Sequence, residues 1–201
     1  MPSSLPLLLP AEILARKTPV KNDPVFGDQS TWSSNYWINR SANLGAMMTS
    51  ITELEKLIAE HSGNGVEFGT ASSDLSPTDE RVAETENKIG CKLPPSYLWF
   101  VKNYGGGHVY GEEIFAIYPV LSHLSVGDIA FQTKSEREQG FARDSAVVVC
   151  SNDFGETFYF DTSTQDDDGE YPVFVKAGAN EKRYADSFAG FLYKRIENPE
   201  G

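Results

Sequence analysis

One segment of the chain, GGGHVYGEE, brings an imidazole close to two carboxylates, those of Glu112 and Glu113, which follow His108 in the sequence. Imidazole and carboxylate groups bind divalent metals and transfer protons, so this segment is the first candidate for catalysis. Its spacing matches no established zinc motif, and Gly111 opposes a helix that would align the three side chains. A plain connection between a helix and a strand is the better interpretation, and a metal site is the minor alternative.

Two other segments resemble ligand-binding loops but differ from them in detail. The glycines at positions 105–107 lack the Gly-Lys-Ser/Thr ending and the preceding strand of a Walker loop, so a helix stop explains them better. When the acidic segment DTSTQDDDGE is aligned with a calcium loop, Thr164 falls at the first ligand position and Val175 falls where the bidentate Glu belongs. A solvated connection between strands accounts for it. The sequence therefore predicts no metal and no cofactor.

No Ser-His-Asp, Cys-His or paired-carboxylate arrangement stands out, so the sequence favours a protein that is not an enzyme. Cys91 and Cys150 lie far apart beside hydrophobic sequence, which is typical of buried thiols in a reducing compartment. The apolar run LPLLLP is broken by prolines and followed at once by Glu12, unlike a signal peptide. No stretch reaches the ~20 apolar residues of a membrane helix. These features predict a cytoplasmic protein without a membrane partner.

The charge of the chain excludes one class of partner and favours another. The 201 residues carry a net charge of −12, and residues 51–201 hold 13 Lys and Arg against 26 Asp and Glu. Such a surface repels the phosphates of nucleic acids, so direct DNA or RNA binding is not expected. A bland explanation of the acidity is solubility. The sharper one is a basic protein partner that the negative field attracts.

The elements that must position these residues begin after a different kind of sequence. Residues 1–47 are rich in Pro, Ser and Asn and predict an N-terminal extension, and residues 48–201 form the predicted domain. Within the extension, Trp32 and Trp37 either pack on the domain, which we favour, or belong to a partner-binding arm.

Hydrophobic periodicity divides the domain into helices followed by strands and a last helix. Helices are predicted after Thr49, over residues 77–89 with Ser76 as N-cap, from Pro95 to the glycine run, within residues 125–140, and over YADSFAGFLYKRIE with Tyr184 on its apolar face. The strand-like runs are EIFAIYPV, SAVVVC, ETFYFDT and YPVFVK. This order predicts an α+β fold with N-terminal helices, a mainly antiparallel sheet with helices on one side, and a C-terminal helix.

Several of these segments together resemble the SUKH superfamily, whose founding members include the fungal Smi/Knr cell-wall assembly regulators. The matching segments are LPPSYLWFVKNYGGG, SNDFGETFYFD, YPVFVK and YADSFAGFL, and the likeness covers about residues 49–196. The family's Asn before the glycine turn is not in its usual place here. Each matched position also has a physical explanation, since Leu93, Tyr97 and Phe100 suit a core and Gly155 suits a turn.

The resemblance implies a binding scaffold, and many bacterial members look like immunity proteins that occlude a cognate protein toxin. A nuclease would be a fitting target, because its basic cleft would attract a protein of charge −12. A regulatory scaffold for signalling or wall-assembly proteins is the alternative. The candidate partner contacts are Tyr110, Glu112, Glu113, Asp166, Asp167, Asp168, Glu170, Trp32 and Trp37.

Overall fold

A seven-stranded antiparallel sheet, in which each strand pairs with the next along the chain, organises the fold. The structure is a computed structural model that describes residues 51–70, 76–120 and 125–198. Because sequence neighbours are sheet neighbours, β1 and β7 form the two edges. The strands are β1 (Val66–Phe68), β2 (Gly107–Val109), β3 (Glu112–Ile114), β4 (Ala146–Ser151), β5 (Glu156–Asp161), β6 (Val173–Ala177) and β7 (Asn180–Ala185).

Five helices accompany the sheet within the described residues, and local capping chemistry accounts for several of their ends. Side-chain oxygens of Thr78, Asp128 and Ser187 accept hydrogen bonds from backbone N–H groups in the first turns of α2, α4 and α5. Gly90 and Gly105 end α2 and α3 in the left-handed conformation that glycine adopts without strain. The helices are α1 (residues 51–61), α2 (Asp79–Ile89), α3 (Pro95–Tyr104), α4 (Ile129–Glu138) and α5 (Phe188–Glu197).

Aromatic side chains join α3 and α5 to one face of β5. The Tyr97 ring lies 5.7 Å from Phe160 and 5.2 Å from Phe188, both edge-on, and Phe158 lies 5.3 Å from Phe191. All five side chains are buried. Burial of each stabilises the fold by about 1.5–3 kcal/mol, so this cluster fixes the C-terminal helix on the sheet.

Helix α4 covers the part of β4 that β3 leaves open, since those strands pair only at Ile114 and Cys150. The backbone N–H of Val148 donates to Thr133 Oγ1 at 3.0 Å. Arg137 donates from Nη2 to the Ala146 carbonyl at 3.0 Å and from Nη1 to a carbonyl at the end of α2 at 2.9 Å. Polar side chains of one helix thus satisfy a strand edge and tie α2 to it.

The predicted α+β fold class and C-terminal helix are confirmed, and three details differ from prediction. Thr78, not Ser76, caps α2, and the Ser76 hydroxyl donates instead to the carbonyl of Lys102. The predicted strand over residues 113–120 is shorter, because the chain leaves the ladder after Ile114. Tyr184 lies in β7 rather than in the last helix.

The sequence interpretation missed β1, β2 and β7. The first two have three residues each and adjoin glycines, so they are too short to show the two-residue hydrophobic alternation of a strand. Strand β7 lies at an edge of the sheet and is rich in charged residues. Charge on an edge strand opposes pairing with other chains, but it also removes the hydrophobic pattern by which a strand is recognised in a sequence. None of the described helices is both long and apolar enough to cross a membrane.

Candidate functional site

Three antiparallel strands carry a row of titratable side chains across one face of the sheet. His108 of β2 pairs with Glu67 of β1 on one side and with Glu113 of β3 on the other. Directly opposed residues share a face and stand roughly 5 Å apart, so two carboxylates flank the imidazole. Glu67 and His108 are exposed and Glu113 is half-buried. We call these three residues the acidic row.

A cleft of about 410 Å³ opens beside the acidic row. Its lining residues include Phe68 and Tyr118, which are half-buried, the buried residues Ile114, Ala116 and Ile117, and the three residues of the acidic row. None of its described lining residues is Lys or Arg. The cleft therefore combines an apolar wall with a negative rim.

Glycine backbone forms another wall of this cleft. A Cβ at Gly107 would lie 2.2 Å from the Glu67 carbonyl oxygen, and one at Gly106 would lie 2.7 Å from the Ala116 Cβ. Both glycines have positive φ, 136° for Gly106 and 143° for Gly107. The run predicted to be a helix stop ends α3 at Gly105 and then lets β2 approach β1 closely.

Glu113 is held by a second contact outside the sheet. The Tyr118 hydroxyl donates to Glu113 Oε1 at 3.4 Å, and burial together with the charge of Glu113 raises the pKa of Tyr118. A Cβ at Gly127 would lie 2.0 Å from Glu113 Oε1, so the absence of a side chain there leaves room for the carboxylate. The Glu113 carboxylate is thereby fixed at the rim of the cleft.

The turns of two hairpins lie side by side at one end of the sheet. Asn152, in the β4–β5 turn, donates from Nδ2 to Glu112 Oε1 of β3 at 3.1 Å. The same turn exposes Phe154, whose side chain is 88% exposed. Asn152 Oδ1 accepts from the N–H groups of Phe154 and Glu156 at 3.1 and 3.0 Å, and these bonds hold the backbone of the turn. We call this region the hairpin end.

Tyr110 occupies the turn of the other hairpin in an unusual conformation. Its φ is 50°, which is rare for a bulky residue, and its side chain is 40% exposed. The hydroxyl donates to the Ile196 carbonyl at 3.1 Å and lies 3.2 Å from His61 Nδ1. Tyr110 therefore anchors the turn to α1 and α5 while part of its ring stays accessible.

The acidic segment DTSTQDDDGE, which we call the acidic loop, lies at the opposite end of the sheet, because it connects the end of β5 to the start of β6. The structure therefore separates it from Tyr110 and Glu113. Asp166 and Asp167 are exposed, and Asp168 is half-buried.

Glu170 differs from the rest of the acidic loop, since it is buried at 4% exposure. Its two oxygens accept from the N–H and the hydroxyl of Ser96, each at 2.7 Å. Its carboxylate holds the start of α3 and is not a surface group, which corrects the expectation of an exposed contact. Glu112 is likewise mostly buried, with a side chain 14% exposed.

Two further expectations concern the tryptophans of the N-terminal extension and a metal site. Trp32 and Trp37 lie outside the described residues. Across the ranges that the structure does describe, no group of three or more His, Cys, Asp and Glu side chains is arranged to hold a metal ion. His108 and Glu113 are neighbours across two strands, as their proximity in sequence suggested, but they do not form such a group.

A comparison with protein-family models matches residues 76–194 to the SMI1 / KNR4 family (SUKH-1). The match covers more than half of the chain. This chain belongs to the SUKH-1 family. Proteins of this family are generally immunity or scaffold proteins without a catalytic role. The matched range includes the hairpin end, His108 and Glu113, whereas α1 and β1, which carries Glu67, precede it.

Sequence reasoning missed the most exposed aromatic residue of this SUKH-1 domain. Phe154 stands in the turn sequence Asn-Asp-Phe-Gly, where an aromatic residue is surrounded by residues that favour turns. Such a residue cannot reach the core from a tight turn, and this was the available signal. Phe141, 58% exposed after α4, carried no comparable signal.

Proposed function

We propose that this SUKH-1 protein is an immunity protein that binds a cognate protein toxin and neutralises it by stoichiometric occlusion. Family membership supports a protein-binding role in general. The observation that carries the more specific proposal is Phe154, an aromatic side chain held out at the hairpin end by a rigid turn.

An exposed phenylalanine on a rigid turn is suited to anchor a protein interface. A few buried aromatic side chains dominate the free energy of most interfaces, and a fixed turn reduces the entropy lost on binding. Phe154 contributes nothing to the core, since 88% of the residue remains accessible. Inserting its ring into a pocket of a partner would bury surface that the fold leaves in water.

The charge of the chain supports a basic partner. Asp153 adjoins Phe154, and the chain as a whole has a net charge of −12. Complementary charge speeds encounter and selects among partners more than it adds to affinity. A nuclease toxin fits this requirement, because the cleft that binds nucleic acid must be basic. The protein would meet its toxin in the cytoplasm.

The candidate contacts divide into two groups according to their burial. Tyr110 is exposed and Glu113 is half-buried, so we assign both to the proposed toxin-binding surface. Asp166, Asp167 and Asp168 would add to the negative field from the far end of the sheet. Glu112 and Glu170 support the surface only indirectly, because each holds backbone or another side chain in place.

The proposal is tested by recovering the partner from the protein's own cells. Tagged full-length protein is isolated at low and at high salt, and the bound proteins are identified by mass spectrometry. We expect a near-stoichiometric toxin domain whose recovery falls at high salt, since salt screens exposed charges. Recovery of signalling or wall-assembly proteins alone would instead support the regulatory scaffold and overturn the immunity proposal.

A further inference from the structure

We propose that the cleft beside the acidic row binds a Lys or Arg side chain of the protein partner. This inference rests on the proposed function, because it assigns a chemical contact to the same interaction. Two properties of the cleft carry it: the side chains of its rim and the nature of its walls.

The rim presents two carboxylates on either side of one imidazole. Glu67, His108 and Glu113 are consecutive partners in the ladders of β1, β2 and β3. No Lys or Arg is among the described lining residues, so none of these residues neutralises the two carboxylates with a positive charge. Arg81 lies in the neighbouring depression, where it pairs with Glu84 at 2.8 Å and donates to the Tyr118 carbonyl. The rim is thus complementary to a cationic group.

The walls suit the aliphatic stem that carries such a group. Phe68 and Tyr118, both half-buried, place aromatic rings among the lining residues, and the glycine backbone between α3 and β2 adds no side chain that would fill the space. Lys and Arg side chains bury their methylene stems on apolar surface while their charged ends stay near water or carboxylates. A volume of about 410 Å³ lies within the range of known small-ligand sites, about 300–1,000 Å³.

The cleft and the hairpin end share strand β3. Glu113 adjoins Glu112, whose side chain contacts the β4–β5 turn that carries Phe154. Adjacent residues of β3 thus contribute to the hairpin end and, on the opposite face of the sheet, to the acidic row. Glu67 belongs to β1, which precedes the range matched by the family, so one carboxylate of the rim is supplied outside the matched SUKH-1 region.

The test uses the full-length protein and a defined probe. The peptide acetyl-Gly-Arg-Gly-Lys-Gly-amide is titrated into ¹⁵N-labelled protein, and amide chemical shifts are recorded. A neutral peptide with Gln in place of Arg and Lys is the control ligand. We expect saturable shifts at Gly105, Gly106, Gly107 and His108 with the basic peptide only. Equal shifts with the neutral peptide, or no saturable shift at these glycines, would overturn the inference.

A matched pair of double variants separates the cleft from the general negative field. Glu67→Gln with Glu113→Gln should weaken binding of the basic peptide about fivefold, because two ion pairs are lost and ion pairs in contact with water each contribute modestly to affinity. Glu53→Gln with Glu55→Gln removes the same charge from exposed positions on α1 and should have little effect. Equal weakening by both double variants would show attraction to net charge alone and contradict a defined site.

The two proposals fail in different ways. If the basic peptide does not bind at the cleft but a toxin domain is recovered from cells, the toxin docks elsewhere and the immunity proposal stands. If the peptide binds as described and no toxin is recovered, the cleft remains a site for basic side chains in a protein of another function.

Discussion

Arg195 of α5 and Glu112 of β3 form an ion pair, with 2.5 Å between Arg195 Nη2 and Glu112 Oε2. The two side chains are 6% and 14% exposed, and the guanidinium carbon also lies 5.2 Å from the centre of the Phe158 ring. Glu112 accepts a further hydrogen bond from Asn152. This pair therefore connects the C-terminal helix to both hairpin turns at the hairpin end.

Glu112→Gln should destabilise the protein by about 3 kcal/mol, because it removes the carboxylate charge that compensates the buried Arg195 guanidinium. Equilibrium unfolding in urea measures this change. Glu53→Gln on the exposed face of α1 is the matched control and should stay within about 0.5 kcal/mol of the wild type. A Glu112→Gln variant as stable as the control would contradict a structural role for the pair.

Glu170 joins the starts of two helices. It accepts from Ser96 in α3, and the Ser96 hydroxyl accepts from the N–H of Ala189 in α5 at 3.3 Å. Burial raises the pKa of Glu170, and the hydrogen bonds from Ser96 offset this only in part. The folded protein thus holds the proton of this carboxyl to a higher pH than the unfolded chain does.

This raised pKa predicts a pH dependence of definite sign. The contribution of the Glu170 carboxyl to the unfolding free energy is fully present below the pKa of the unfolded chain, near 4.5. This contribution is lost as the pH rises through the pKa of the folded protein. The unfolding free energy of the wild type relative to Glu170→Gln should therefore fall between pH 4 and pH 7. Urea unfolding at intervals across this window measures it.

Glu181→Gln provides a control with the opposite sign. The hydrogen bond from Arg143, together with Tyr159, lowers the pKa of Glu181. The contribution of Glu181 to the unfolding free energy is present above its unfolded pKa and is lost as the pH falls. The unfolding free energy of the wild type relative to this variant should therefore increase as the pH rises. The same trend in both variants, or no trend for Glu170→Gln, would contradict the assigned environments.

The sequence predicted those parts of the fold whose signals are local. Pro95 marks the start of α3 and Gly105 its end, and the hydrophobic runs of β4, β5 and β6 are continuous. By contrast, Glu170 and Ser96 are 74 positions apart, and their contact depends on the finished fold. No local pattern distinguishes such a buried carboxylate from the exposed ones of the same loop.

The candidate site was predictable to a similar extent. The proximity of His108 to Glu112 and Glu113 in sequence suggested a cluster, and the structure shows which carboxylate faces it. The period of a strand places alternate residues on opposite faces, so Glu113 joins His108 whereas Glu112 pairs with Arg195. Glu67 could not be included, because β1 has only three residues and its register depends on β2.

The glycines of the cleft wall give a prediction about stability. Gly107→Ala places a Cβ 2.2 Å from the Glu67 carbonyl oxygen and 2.8 Å from the Phe68 Cα, so β1 must move away from β2. We expect a loss of about 2–3 kcal/mol, from strain at positive φ together with this displacement. Thermal and urea unfolding measure the loss.

Gly111→Ala separates backbone strain from displacement. Gly111 also has positive φ, 86°, but a Cβ there would meet nothing within 4 Å. Its replacement should cost only about 1–2 kcal/mol, the strain of a left-handed non-glycine residue. Equal losses at both positions would mean that the close approach of β2 to β1 contributes little to stability.

Phe154→Ala gives the most direct test of the hairpin end as a binding surface. Its ring is exposed and lies in a turn held by Asn152, so the unfolding free energy should change by no more than about 0.5 kcal/mol. Affinity for the toxin domain recovered from cells should fall at least thirtyfold, or about 2 kcal/mol, because an aromatic anchor is lost. Isothermal titration calorimetry measures the affinity.

Phe141→Ala is the matched control for this variant. Phe141 is 58% exposed and lies on the connection between α4 and β4, at the other end of β4 from the turn that carries Phe154. Removing it deletes the same apolar ring from the surface and should leave toxin affinity nearly unchanged. Because both variants lose the same hydrophobic group, a thirtyfold loss confined to Phe154→Ala would locate the interface at the hairpin end. Equal losses, or none in either variant, would place the toxin elsewhere on the domain.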